Sequence, residues 1–260
     1  MSNEYQTTRI EQRVTMTNLS KIYVYAIIDS NTITGKPPIT GFNNNPIYTV
    51  SFNDISAVVS DFPEGLKDVT TIALHHEKTV EELMEFNTIL PMRLQTLFKN
   101  KEDILVTIEK NYDDFKNNLT RLTGKIEFGL KALWQVDKIK KEISDNYYED
   151  KNKTLTKNTP SRDYLNKKYK EYKINEILND KADKCISMID GYFSEIAVEK
   201  KLQKLQTDKL ILNAAYLIDK SQKDRINQIF KQLRENFNDL KFLFSGPWPP
   251  YNFIKKKTED

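Results

Sequence analysis

The 260-residue chain has only two histidines, and they are adjacent. His75-His76-Glu77 therefore carries all the imidazole chemistry available. A zinc helix of the His-Glu-x-x-His type needs two imidazoles one turn apart, so that both reach the same ion. Here His76-Glu77-Lys78-Thr79 runs into Val80, and the second ligand is missing. No metal site is predicted, and the pair is expected at a helix start or on the surface. Cys185 is the single cysteine. It sits with Ala182, Ile186 and Ile189 on an apolar helical stripe, where a thiol behaves as a small hydrophobe rather than a nucleophile. Gly124 and Gly129 have the spacing of a phosphate loop, but Leu130-Lys131 stands where Lys-Ser/Thr is needed. With 7 glycines in all, there is little material for a backbone cradle around an anion. No catalytic, cofactor-binding or metal-ligating residue is assigned, and no cofactor is expected.

Two segments have binding chemistry instead. Lys167-Lys168-Tyr169-Lys170-Glu171-Tyr172-Lys173 interleaves cations with aromatics, as nucleic-acid binders do. Asp163, Glu171 and Glu176 dilute it, so a solvated helix face with its tyrosines turned inward is expected. The second segment is Gly246-Pro247-Trp248-Pro249-Pro250-Tyr251. Its prolines cannot donate to a sheet ladder, so a preceding strand is expected to stop at about residue 245. They favour an extended path that presses Trp248 and Tyr251 onto a surface. One reading is a clamp on the protein's own core, with removal of Trp248 costing about 3–5 kcal/mol. The other is a partner-binding aromatic. Physics favours the clamp, since buried Trp normally serves a core. A cis bond is conceivable at Trp248–Pro249.

The elements that must position these groups are read from periodicity. Strands are expected at 22–28, 47–50, 55–59, 89–92, 125–136, 210–218 and 240–244. Pro91 places the strand at 89–92 on an edge. Helices are expected at 69–86, about 105–122, from Pro160 to about 205 (one long helix or a pair broken near Gly191) with Ser161 as N-cap, and 226–237 with a Ser221/Asp224 start. The charged stretch 137–159 lacks a long apolar face and reads as a flexible connector. The fold class is thus α+β, as two small ferredoxin-like units, the C-terminal one with long helices. The expected organisation is an arm at 1–20, a domain at 21–123, a domain at 124–254 with the connector near 137–160, and a tail at 255–260. Forty basic against 37 acidic side chains give too little net charge to imply a polyanion partner. One cysteine, a polar N-terminal stretch and no long apolar run lead to an expectation of a cytosolic chain.

One ordered set of residues resembles the gas vesicle protein L/F (GvpL/GvpF) family. It comprises Tyr23-Val-Tyr-Ala-Ile27, Ala57-Val-Val-Ser60, His76-Glu77, Leu90-Pro-Met-Arg93 with Thr96, the stretch 124–134 with Glu127, Arg162 with Tyr164-Leu165, and Gly246 to Tyr251 with Phe253. The resemblance spans about residues 21–254. Where the family tends to have Phe-Gly after the arginine, this chain has Leu94-Gln95, which removes a flexible glycine from the turn. The resemblance implies a cytoplasmic, vesicle-associated accessory protein, not an enzyme. It would bind the hydrophobic shell protein and assist its assembly, or be a minor vesicle component. Other gas vesicle accessory proteins are implied as partners, with no nucleic acid and no membrane. Leu90, Pro91 and Arg93, at the expected strand edge, are the candidate partner contacts. The alternatives from other classes are a small-molecule-sensing or enzymatic ferredoxin-like protein and a nucleic-acid-binding protein.

Overall fold

The computed structural model describes residues 21–32, 39–151, 160–204 and 209–256. The expected arm at 1–20 and the tail beyond residue 256 lie outside them. The chain is a mixed helix-and-sheet structure with two antiparallel sheets.

The first sheet is built on β1 (Ile22–Asp29), whose seven leading residues are all buried. Such a strand reads as a continuous apolar run because both of its faces are covered. On one side β1 pairs with β3 (Ile55–Asp61), which pairs with β2 (Tyr48–Phe52). On the other side two short strands lie end to end, β4 (Ile89–Pro91) and β5 (Leu97–Phe98). Pro91 is thus on an outer strand, where its missing N–H costs no ladder bond. Helix α1 (Val69–Phe86) covers one face through Ile72, Val80 and Leu83. Asp68 caps it, accepting from the Thr71 N–H at 3.0 Å.

The other face is covered by two helices where one was expected. The apolar spacing of Leu105, Ile108, Tyr112, Phe115, Leu119 and Leu122 carries across a break at Asn111 (φ −110°, ψ 18°). The break separates α2 (Lys101–Lys110) from α3 (Tyr112–Leu122). Because three strands precede the first α-helix, this unit does not have the alternating order of a ferredoxin-like unit.

The second sheet has the order β7-β8-β6-β9. Its central strands are β6 (Lys125–Trp134) and β8 (Leu210–Asp219), and its edges are β7 (Ala197–Lys204) and β9 (Leu240–Trp248). Helices α5 (Pro160–Phe193) and α6 (Lys223–Asn236) cover one face, burying Ile189, Phe193, Ile226 and Leu233 against Phe128, Leu130 and Tyr216.

Four expectations are corrected by the structure. The stretch expected to be a flexible connector is helical in its described part, α4 (Val136–Lys151). Val136, Ile139 and Ile143 recur at helical spacing and pack on Ile174 and Leu178 of α5. Lysines around those few apolar residues hide the stripe in the sequence. The long helix includes Ser161, passes through Gly191 and stops at Phe193, and the chain then enters strand β7 instead of extending the helix. Lys200 and Lys201 mark β7 as an edge, since lysine blunts an unpaired ladder. Ser221 lies in a 3-10 turn (Lys220–Gln222) ahead of α6 and does not cap it. Finally, β9 does not stop before its prolines but continues to Trp248.

Candidate functional site

β9 passes its prolines by means of a bulge. Ser245 pairs with Gly129 and Trp248 with Glu127, so two residues of β9, Gly246 and Pro247, face one of β6. A Cβ on Gly246 (φ +124°) would lie 2.8 Å from the Glu127 carbonyl oxygen, so only glycine fits. The cis bond is at Gly246–Pro247, not at Trp248–Pro249.

Beyond the bulge the chain becomes a strap that returns to the first sheet. Pro249 and Pro250 are buried, Tyr251–Phe253 forms a 3-10 turn, and Phe253 is 1% exposed. Phe253 joins the cluster of Leu119, Leu122, Ala215 and Leu217. Three side chains tie the strap down. Glu127 accepts from the Asn252 backbone N–H at 2.9 Å and from the Asn252 side-chain amide. Asn118 donates to the Lys255 carbonyl at 2.6 Å and accepts from its N–H at 2.9 Å. Arg121 donates to the Phe253 carbonyl and pairs with Glu199 of β7. Burial pushes the Glu127 carboxyl above the usual carboxylate range, partly offset by Asn252 and the Lys201 charge. Both of its oxygens are engaged by Asn252, so Glu127 acts as an anchor rather than an acid or base.

Tyr251 links the strap to the histidine pair. His76 is buried in mid-helix, not at a helix start or on the surface, among Tyr23, Tyr25 and their neighbours. The Gln95 N–H donates to the Tyr23 hydroxyl at 3.1 Å, and the same hydroxyl lies 3.0 Å from His76 Nδ1. On the other side of the ring, Nε2 is 3.4 Å from the Tyr251 hydroxyl. Burial pushes the His76 pKa down to about 4, against the opposing pull of the Met92 carbonyl. Burial likewise pushes the Tyr251 phenol up to about 12. Among the described residues no group of three or more His, Cys, Asp or Glu could hold a metal ion.

The strap walls a cleft of about 660 Å³ on the face of the second sheet that α5 and α6 leave open. Its floor is made of small residues (Gly129, Asn213, Ala215, Ser245), which makes it concave. Trp248 and Tyr251 form one side and Lys201 the other. Trp248 is half-buried and Tyr251 is 41% exposed, so both keep accessible ring surface. The fully buried aromatic of the strap is Phe253, not Trp248.

The segment expected to meet a partner is mostly internal. Leu90 is 1% exposed and Pro91 is buried, while Arg93 is exposed in the loop joining β4 and β5. That loop keeps its turn without glycine, because Gln95 adopts φ +63°. Relief of this left-handed strain exceeds glycine's extra unfolded-state entropy. Gln95→Gly should therefore stabilise the protein by about 0.5–1 kcal/mol in urea unfolding. The tyrosines of the lysine-rich helix point outward, contrary to expectation: Tyr164, Tyr169 and Tyr172 are more than half exposed. Cys185 is half-buried, and burial pushes its thiol pKa up.

Sequence reasoning missed the Glu127–Asn252 anchor and the Phe253 seat. One signal was present: a glutamate on a strand otherwise alternating toward a core, and a Tyr-Asn-Phe turn after a proline run.

Two solved structures share this fold. They are gas vesicle protein GvpF from Microcystis aeruginosa (TM-score 0.77, 21% identity, 91% of this chain and 100% of that one) and from Anabaena sp. (0.75, 20%, 92% and 98%). The chain is similar in sequence to gas vesicle protein L1 of Halobacterium salinarum, 25% identical over 96% of this chain and 95% of that one. Gas vesicle protein F2 of the same organism is 24% identical over 90% and 92%. Residues 21–255 match the family described as gas vesicle synthesis protein GvpL/GvpF, and the chain belongs to that family.

Proposed function

We propose that this protein is an accessory factor of gas vesicle formation that binds the hydrophobic shell protein and assists its assembly. The observation that carries the reading is the cleft beside the strap, an open sheet face flanked by accessible Trp248 and Tyr251. A shell subunit with a large apolar face aggregates before it assembles. A soluble partner prevents this by covering part of that face, and partly exposed aromatics on a fixed strand end and strap give contact area at small entropic cost. The strap is fixed by Glu127, Asn118 and Arg121, so the aromatics are preorganised. Arg93, on the exposed loop whose Gln95 meets Tyr23, supplies a separate polar contact. Leu90 and Pro91 contribute by shaping that loop from beneath. Among the described residues no helix is long and apolar enough to cross a membrane. Association with other vesicle components and with the vesicle itself follows from this role.

The test is retention of purified shell protein by the immobilised full chain. Trp248→Ala with Tyr251→Ala should lower retention by about tenfold or more, as loss of central aromatic anchors does. Because Trp248 is only half-buried, its own replacement should cost about 1–2 kcal/mol of stability. Undiminished retention by the double variant would remove the cleft from the reading. Loss with Arg93→Ala alone would move the surface to the β4–β5 loop.

A further inference from the structure

Helix α5 is 34 residues long, and only part of it is needed to cover the sheet. Its second half buries Leu178, Ala182, Ile189 and Phe193. Its first half presents Leu165, Tyr169 and Tyr172, which are 65%, 51% and 64% exposed. Their i, i+4, i+7 spacing puts them on one face, the pattern of anchors on a helix that docks against another surface. That face is turned away from Ile174 and Leu178, where α4 packs.

Charge is segregated along the same helix. Residues 164–173 carry four lysines against one glutamate, and residues 174–183 carry three acids against one lysine. A helix's own dipole favours the opposite order, acids toward the N-terminus and bases toward the C-terminus. Stabilisation of the helix by itself therefore does not account for the pattern. The local pairs Lys168–Glu171 and Lys173–Glu176 are exposed and contribute little.

A basic half followed by an acidic half is complementary to its own reverse. We propose that α5 pairs antiparallel with α5 of a second copy of this chain, about a two-fold axis near Tyr172. The basic half of each helix then lies along the acidic half of the other, twice over. Lys168 of one copy comes within reach of Glu176 and Asp180 of the other, and the Leu165–Tyr169–Tyr172 stripe fills the seam. Such an interface uses the same patch on both copies, as closed two-fold symmetry requires. It lies on the helical side of the second sheet, opposite the cleft, so pairing leaves the cleft open.

Sedimentation equilibrium on the full chain tests this, with circular dichroism to confirm that each variant is folded. The wild type should show a concentration-dependent monomer–dimer equilibrium that weakens with added salt. An acidic variant, Lys168→Glu with Lys173→Glu, should lose at least about tenfold in self-affinity, as should a basic variant, Glu176→Lys with Asp180→Lys. An equimolar mixture of the two should re-form a dimer, because the all-acidic face of one then meets the all-basic face of the other. A chain that stays monomeric while the mixture also stays monomeric would overturn the proposal. So would a dimer that neither charge reversal weakens. Salt-sensitive binding of a single-stranded oligonucleotide by a monomeric wild type would assign the stripe to nucleic acid and likewise overturn it.

Discussion

Replacement of Phe253 by Ala should destabilise the protein by about 3–5 kcal/mol, more than any other single change in the strap. The side chain is 1% exposed and sits in a cluster drawn from α3, β8 and the first sheet. Its removal opens a cavity that cannot collapse, because Asn118, Arg121 and Glu127 still hold the backbone on either side. Chemical denaturation of Phe253→Ala and Trp248→Ala side by side is the informative measurement. The midpoint should fall steeply for the first and modestly for the second. Equal losses would mean that the half-buried indole carries as much of the clamp as the buried phenyl ring.

Stability should also fall on acidification, through His76. The group is buried and neutral, with a folded pKa of about 4 against about 6.5 in the unfolded chain. Above the unfolded value both states are neutral, and the contribution is intact. As pH drops from about 6.5 toward about 4 the unfolded chain takes up a proton that the folded protein refuses. Across that window the loss amounts to about 3 kcal/mol, and it is complete below about pH 4. Glu127 has the opposite sign. Burial raises its folded pKa above the unfolded one, so the folded state binds that proton first and gains stability as pH falls through its window. Unfolding free energies between about pH 7 and about pH 4, measured for wild type and His76→Phe in a Glu127→Gln background, isolate the histidine. His75 shifts in the same direction as His76 by burial but is common to both proteins and cancels. Parallel curves would show that His76 does not stay neutral on folding.

What the sequence disclosed was governed by pattern length. β6 and β8 were legible because alternation or a continuous apolar run persists over ten residues in each. α1 was legible because an apolar stripe runs between a capping Asp68 and Asn87. β7 was not, since an edge strand buries little and is lysine-rich, so it reads as the tail of the preceding helix. α4 was hidden for a related reason: three apolar contacts suffice to dock it, and the lysines around them dominate the composition. The site was legible only in part. The proline run announced a strap, but proline physics alone ends β9 too early, because a bulge lets the strand resume beyond it. Which aromatic would be buried was decided by Asn252 reaching Glu127, a pairing between residues 125 positions apart. His76 reads as a surface residue because nothing local signals that Tyr23 and Tyr251 enclose it.

The return of Phe253 to α3 has a consequence in time as well as in space. The seat for this ring is partly made of Leu119 and Leu122, which leave the ribosome 131 and more residues before the ring itself. At about 5–20 residues per second, that seat waits about 7–26 seconds for its occupant. During synthesis the first sheet therefore holds an open apolar notch beside Asn118 and Arg121, whose backbone partners do not yet exist. The waiting surface of the nascent chain is of the same kind as the surface the finished protein is proposed to shield.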